Sequence, residues 1–128
     1  MTGKHMKKHI LFVDDEQSLA LLGADLLEDY GFQVTCAYHG RQALEVFTGQ
    51  SGSFDLVVTD ESMPEMSGIE LAQQLFRISP QTPVVLCSGH MLTMQEEGID
   101  RTNIINVLAK TDVCLKLPEF LDQLFADS

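Results

Sequence analysis

Five short apolar runs recur along the chain, at His9–Val13, Gln33–Ala37, Asp55–Thr59, Pro83–Cys87 and Ile104–Leu108. Each is too short for a helix, rich in Val, Ile and Leu, and mostly continuous rather than alternating. That pattern predicts strands buried on both faces, as in a parallel sheet covered by helices on either side. Amphipathic segments lie between the runs. Leu19, Leu22, Leu26 and Leu27 share one helical face, and Gly31 follows Tyr30 where a C′ glycine belongs. Ala43, Leu44 and Phe47 mark a second helix that closes near Gly49. Ser67-Gly68-Ile69-Glu70 reads as a capping box opening a third, with Leu71, Leu75 and Ile78 on its apolar face. It stops at Ser79-Pro80, because the residue before a proline resists helical geometry. The fourth intervening segment, Gly89 to Asn103, is interrupted by Gly98 and is expected to form a short or mobile helix. A fifth helix is predicted from Pro118, presenting Leu121, Leu124 and Phe125.

Strict alternation of strand and helix predicts an α/β fold with right-handed crossovers, whose ligand site lies beyond the carboxyl ends of the strands. The residues at those ends therefore matter most. The first run delivers Asp14 and Asp15, the third Asp60, the fourth Ser88 and the fifth Lys110. Three carboxylates meeting at one edge repel each other unless a cation sits among them or one holds a proton. Mg²⁺, a hard ion that takes one or two carboxylates together with water and phosphate oxygens, suits such a set. Lys110 adds a positive charge for a phosphoryl oxygen and Ser88 a hydroxyl donor. An aspartate so placed can act as a nucleophile and form an aspartyl-phosphate. Taken singly, each feature has an ordinary reading: Asp14-Asp15 as a helix N-cap, Lys110 as a solvated surface lysine. Their order at consecutive strand ends decides for the chemistry.

Composition narrows the setting. The 128 residues are 45% hydrophobic and 21% charged, the profile of one ordinary globular domain. We place that domain at residues 9–127. Residues 1–8, which begin Met1-Thr2-Gly3-Lys4-His5-Met6, read as an appended, disordered remnant. The net charge is −11, and from Ile10 onward five basic residues face nineteen acidic ones. Such a body repels phosphate backbones, so no direct nucleic-acid binding is expected. No apolar run approaches the ~20 residues of a membrane span, and no signal peptide opens the chain. Cys36, Cys87 and Cys114 form no Cys-x-x-Cys pair and read as reduced core thiols of a cytoplasmic protein. His9 and His39 lack metal-ligand spacing and read as surface residues.

The segments Ile10-Leu11-Phe12-Val13-Asp14-Asp15-Glu16, Asp55 to Gly68 with its Asp60-Glu61-Ser62-Met63-Pro64 core, and Val84-Val85-Leu86-Cys87-Ser88-Gly89 closely resemble response-regulator receiver domains of bacterial two-component signalling. The likeness runs from about Ile10 to Phe125. It implies a flavodoxin-like (βα)5 three-layer sandwich with a five-stranded parallel sheet of order 2-1-3-4-5, an order for which a receiver is a standard example. It also implies that Asp60 is the phosphoacceptor. Asp15 and Asp60 would ligate Mg²⁺ directly with the Ser62 backbone carbonyl, and Asp14 through water. Ser88 would be the hydroxyl switch and Lys110 the phosphate-binding lysine. Ser62 and His90 fall where the family tunes the lifetime of the phosphoryl group.

Two positions depart from the family pattern. Thr111 follows Lys110 where receivers usually have proline, often through a cis bond, and Val107 replaces the usual aromatic switch residue. Lys116 is a rival for the lysine role, though it falls late after the fifth strand. The resemblance implies a sensor histidine kinase or histidine phosphotransfer domain as donor. It also suggests a homodimer through the fourth helix, fifth strand and fifth helix. The likeness to receivers of hybrid sensor histidine kinases suggests a piece of a longer protein, in which the domain forms part of the cytoplasmic side of a membrane sensor. Two other readings stay open: a receiver-like interaction module that is never phosphorylated, and a phosphatase with an aspartyl-phosphate intermediate. The second has Ser62 where a general-acid aspartate is usually needed.

Overall fold

The computed structural model describes residues 8–49, 53–89 and 98–126. Its strands are β1 (His9–Val13), β2 (Gln33–Ala37), β3 (Leu56–Asp60), β4 (Val84–Ser88) and β5 (Ile104–Ala109). All pair in parallel, in the order β2-β1-β3-β4-β5. The helices are α1 (Gln17–Asp29), α2 (Gly40–Gly49), α3 (Gly68–Ile78) and α4 (Val113–Leu124), with 3-10 turns at Ile99–Arg101 and Lys110–Asp112. This is the flavodoxin-like α/β sandwich expected from the sequence. Most of the fourth connection, His90 included, lies outside the described residues. Its end is the Ile99–Arg101 turn, entered through Gly98 at φ +93°, a left-handed conformation that suits glycine.

The continuous apolar runs have a simple cause. Every residue of β1, β3 and β4 is buried, because successive side chains enter different layers. Ile10, Phe12, Leu56, Val58 and Val85 pack with Leu27 of α1 and with Leu117 and Leu121 of α4. Leu11, Val13, Val57 and Leu86 pack with Phe47 of α2 and with Leu71 and Leu75 of α3. The edge strands β2 and β5 are only partly buried.

Several local expectations are corrected by packing. β3 and β4 each run one residue later than the sequence pattern placed them, so Asp60 and Ser88 are the last residues of their strands. The ladder continues past them through the Glu61 N–H, which donates to the Cys87 carbonyl at 2.8 Å. α1 turns Ala20, Gly23, Ala24 and Leu27 to the sheet and leaves Leu19 and Leu22 exposed. The Phe12 ring demands small residues there: a Cβ on Gly23 would come within 2.5 Å of it. Ile78 and Leu124 are likewise exposed. α4 begins at Val113 rather than at Pro118, because Val113, Leu117 and Leu121 form a buried stripe at four-residue spacing. Pro118 sits inside the helix, where it has no N–H to donate to the Cys114 carbonyl, and Cys114 itself is exposed. Cys114 is thus not a core thiol, whereas Cys87 is buried and Cys36 half-buried. His9 is buried rather than superficial, its Nε2 lying 2.7 Å from Thr35 Oγ1 and its ring against Phe54. His39 is exposed as expected.

Candidate functional site

Parallel strands end together, so the residues closing β1, β3, β4 and β5 share one edge of the sheet. In register, Val13 lies beside Thr59, Asp60 beside Cys87, and Ser88 beside Ala109. Asp14 follows β1, Asp60 and Ser88 end their strands, and Lys110 follows β5. Asp14, Asp15 and Asp60 each offer a carboxylate oxygen within 4.8 Å of the others, a grouping able to hold a metal ion. Asp14, Asp60 and Ser88 are buried, whereas Asp15 is exposed.

Lys110 is the positive charge of the site. Its Nζ lies 3.2 Å from Asp60 Oδ2, 3.6 Å from Asp14 Oδ2 and 3.8 Å from Glu16 Oε1. Burial alone would lower its pKa, but the hydrogen bond and charge of Asp60, with Asp14 and Glu16, raise it and hold it protonated. Lys116 instead pairs with Asp112 at 3.5 Å on its own helix, so Lys110 is the lysine brought to Asp60. The peptide before Thr111 is trans, and a 3-10 turn takes the place of the family's proline. Val107 packs half-buried against the α2–α3 side of the core.

Burial pushes the Asp60 carboxyl above the ordinary carboxylate range, against the pull of Lys110. Asp14 is raised for the same first reason and by the nearness of Asp60, although its Oδ1 accepts the Glu16 N–H at 3.0 Å. Asp60 Oδ1 is buried with no hydrogen-bond partner. A buried acceptor left without a donor is costly in a fold otherwise well satisfied, and it fits an incoming cation or phosphoryl group. With Oδ1 vacant of donors and two further carboxylates beside it, the residues present suit Mg²⁺.

Around this polar edge runs an apolar cleft lined by Phe12, Leu19, Leu22, Val58, Val113 and Cys114 among others, with Asp60 and Lys110 at its polar end. Cys87 borders it too, but burial and the charges of Asp60 and Asp14 push its thiol up to about 12, which keeps it a neutral packing group. Three contributors escaped the sequence reading. Glu16 adds a partner for Lys110 and was signalled only by its place after the aspartate pair. Gly68 packs so closely that a Cβ would lie 2.5 Å from the Asp60 carbonyl oxygen. Glu61 sends its carboxylate away to the first turn of α3, where Oε1 accepts the Ile69 N–H at 2.9 Å.

Comparison with known proteins decides the family. The profile of the response regulator receiver domain matches residues 10–113. This chain belongs to that family. The receiver is 33% identical over 115 residues to a response regulator receiver protein of Anaeromyxobacter sp. (strain Fw109-5), covering 90% of this chain and 46% of that one. It is 34% identical over 99 residues to the autoinducer 1 sensor kinase/phosphatase LuxN of Vibrio campbellii, covering 77% of this chain and 11% of that protein. The receiver therefore spans about half or less of the length of these relatives. Among solved structures, the response regulator TrrA of Thermotoga maritima, determined in complex with Mg²⁺-BeF, matches with a TM-score of 0.81 and 27% identity. That match covers 91% of this chain and 98% of the other. Receivers are signalling switches of two-component systems, and the relatives include both response regulators and sensor kinases. Among the described residues, no helix is long and apolar enough to cross a membrane.

Proposed function

We propose that this receiver, residues 9–127, accepts a phosphoryl group on Asp60 from a phosphohistidine of a sensor histidine kinase or histidine phosphotransfer domain. The observation that carries the reading is the state of Asp60. One oxygen is paired with Lys110, the other is buried without a donor, and two further aspartates lie within reach. Asp15, Asp60 and the Ser62 carbonyl would hold Mg²⁺ directly and Asp14 through water. The ion would neutralise carboxylate and phosphoryl charge, which is most of what phosphoryl transfer asks of a protein.

An Asp60 carboxylate oxygen attacks phosphorus in line with the leaving imidazole nitrogen. The O–P bond forms as the N–P bond breaks, and the histidine leaves as neutral imidazole or takes a proton from solvent. Lys110, already 3.2 Å from Asp60, moves its charge to a phosphoryl oxygen, and the Ser88 hydroxyl donates to another. The new charge favours whichever arrangement of the neighbouring loops contacts it best, so phosphorylation shifts a two-state equilibrium. The chain is then a switch rather than a turnover enzyme, acting in the cytoplasm as part of a longer protein. Homodimerisation on the β5–α4 side would be one output.

Incubation with Mg²⁺ and acetyl phosphate, or with beryllofluoride, should produce a phosphoryl mass increment or a spectral change, respectively. Both should vanish in Asp60→Asn and Asp60→Ala. If neither reagent produces an Asp60-dependent change, the reading fails. The rival, an interaction module that is never phosphorylated, draws only on Thr111 and Val107, and the assembled Lys110–Asp60 contact speaks against it.

A further inference from the structure

Glu61, the residue directly after Asp60, is tied in three directions. Its N–H donates to the Cys87 carbonyl at the end of β4 at 2.8 Å, and its carbonyl accepts the Gly68 N–H at 3.0 Å. Its Oε1 accepts the Ile69 N–H at 2.9 Å. One residue thus fastens the end of β3 to the end of β4 and to the first turn of α3. The chain between Glu61 and Gly68 is a closed loop beginning with Ser62, and it includes Glu65 in the left-handed region at φ 69°. The two backbone bonds of Glu61 orient the peptide that leads into Ser62. The side-chain bond ties the first turn of α3, and so the far end of the loop, to the residue that follows β3.

The carboxylate is not itself part of the acidic cluster. Among the described residues the grouping able to hold a metal is Asp14, Asp15 and Asp60, and Glu61 Oε1 is engaged by Ile69. Keeping an acid here is costly, since a half-buried carboxylate gives up part of its hydration. An apolar side chain would avoid that cost but could not accept the amide. α3 already has a cap of its own in the Ser67–Glu70 box, so Glu61 is not needed merely to start the helix.

We infer that Glu61 is a positioning residue: its bond to the Ile69 amide holds the 61–67 loop, and with it the Ser62 backbone beside Asp60, in the arrangement that lets a divalent cation bind at Asp60. The inference rests on the phosphoacceptor reading above, and it concerns metal affinity rather than the transfer step.

The test uses the whole chain, with Glu61→Ala, Glu61→Gln and, as a control, Ser67→Ala, which removes a different cap from the same helix. Mg²⁺ binding to the unphosphorylated protein is measured by calorimetry well below every variant's melting temperature. Phosphorylation by acetyl phosphate is then followed as Mg²⁺ is varied. Glu61→Ala should weaken Mg²⁺ binding about tenfold, the usual scale for a residue that supports a metal ligand. It should raise the Mg²⁺ needed for half-maximal phosphorylation by the same factor and leave the rate at saturating Mg²⁺ within about twofold. Glu61→Gln keeps the acceptor oxygen and should restore most of the affinity, while Ser67→Ala lowers stability without changing it. Wild-type Mg²⁺ affinity in Glu61→Ala overturns the inference, as does equal weakening in Glu61→Gln or in Ser67→Ala. A wild-type protein that takes neither Mg²⁺ nor a phosphoryl group overturns the phosphoacceptor reading itself, and so is told apart from these.

Discussion

Asp60 is held in tension: 3% exposed, raised by burial, drawn to Lys110 through one oxygen and left without a donor at the other. Without a cation, the ionised group strains the fold at neutral pH. Asp60→Asn in Mg²⁺-free buffer should therefore stabilise the protein by about 1 kcal/mol or more, the scale of the penalty for a buried charged acceptor left without a donor. Added Mg²⁺ should raise the melting temperature of the wild type and leave that of the variant nearly unchanged; thermal unfolding with and without the ion checks both. At the other end of the sheet His9 is lowered from 6.5 by burial, partly offset by the Ser53 backbone and the charge of Asp55. A folded pKa below the unfolded one means the folded state resists protonation. The stability His9 contributes is thus complete above pH 6.5 and is lost as pH falls through the folded value. His9→Gln, which still reaches Thr35, should flatten that loss; urea titrations at about pH 7.5 and pH 5.5 would show it, and an unchanged slope would exonerate His9.

Local chemistry accounts well for the ends of the helices and less well for their faces. The Ser67–Glu70 capping box is present on both sides, with Glu70 N to Ser67 Oγ at 3.1 Å and Ser67 N to Glu70 Oε1 at 2.9 Å. α1 closes in a Schellman motif: Phe32 N–H reaches the Leu27 carbonyl, Gly31 N–H reaches that of Glu28, and Gly31 has φ +96°. These devices lie within a few residues of one another, so the sequence shows them directly. The buried stripe of α1 was misread because leucine spacing cannot reveal that the Phe12 ring leaves room only for alanine and glycine. The start of α4 was misread because a buried stripe outweighed proline's preference for a first turn. In the β3–α3 loop, Glu65 adopts φ 69°, which costs a side chain about 1–2 kcal/mol. Glu65→Gly should stabilise by about 0.5–1 kcal/mol once glycine's backbone entropy is deducted, readable as a higher urea midpoint at constant m-value. An unchanged or lower midpoint would mean that the Glu65 side chain contributes contacts of its own.

At the scale of the whole molecule, the acidic edge is flanked by apolar surface. Leu22 of α1 is 55% exposed and Leu19 is 38% exposed, both bordering the cleft that ends at Asp60 and Lys110. If Asp60 is the phosphoacceptor, a small donor needs none of that surface, whereas a protein carrying a phosphohistidine would press against it. Leu22→Ser should therefore slow transfer from a histidine-bearing donor about tenfold, the effect of losing one well-placed apolar contact of ~1.4 kcal/mol, and leave acetyl phosphate labelling intact. Equal loss with both donors would instead place the fault in the site itself.

The sequence alone determined the layered α/β fold, because apolar runs and capping signals report burial and local geometry. It also determined that Asp14, Asp15, Asp60, Ser88 and Lys110 lie along one edge, because parallel strands bring their carboxyl ends together whatever the details of packing. Tertiary structure decided which groups meet there and how. It chose Lys110 over Lys116, left Asp60 Oδ1 without a donor, brought Gly68 against the Asp60 carbonyl, and turned the Glu61 carboxylate to Ile69. Those outcomes depend on distances between residues far apart in the chain, and close packing, not periodicity, sets them.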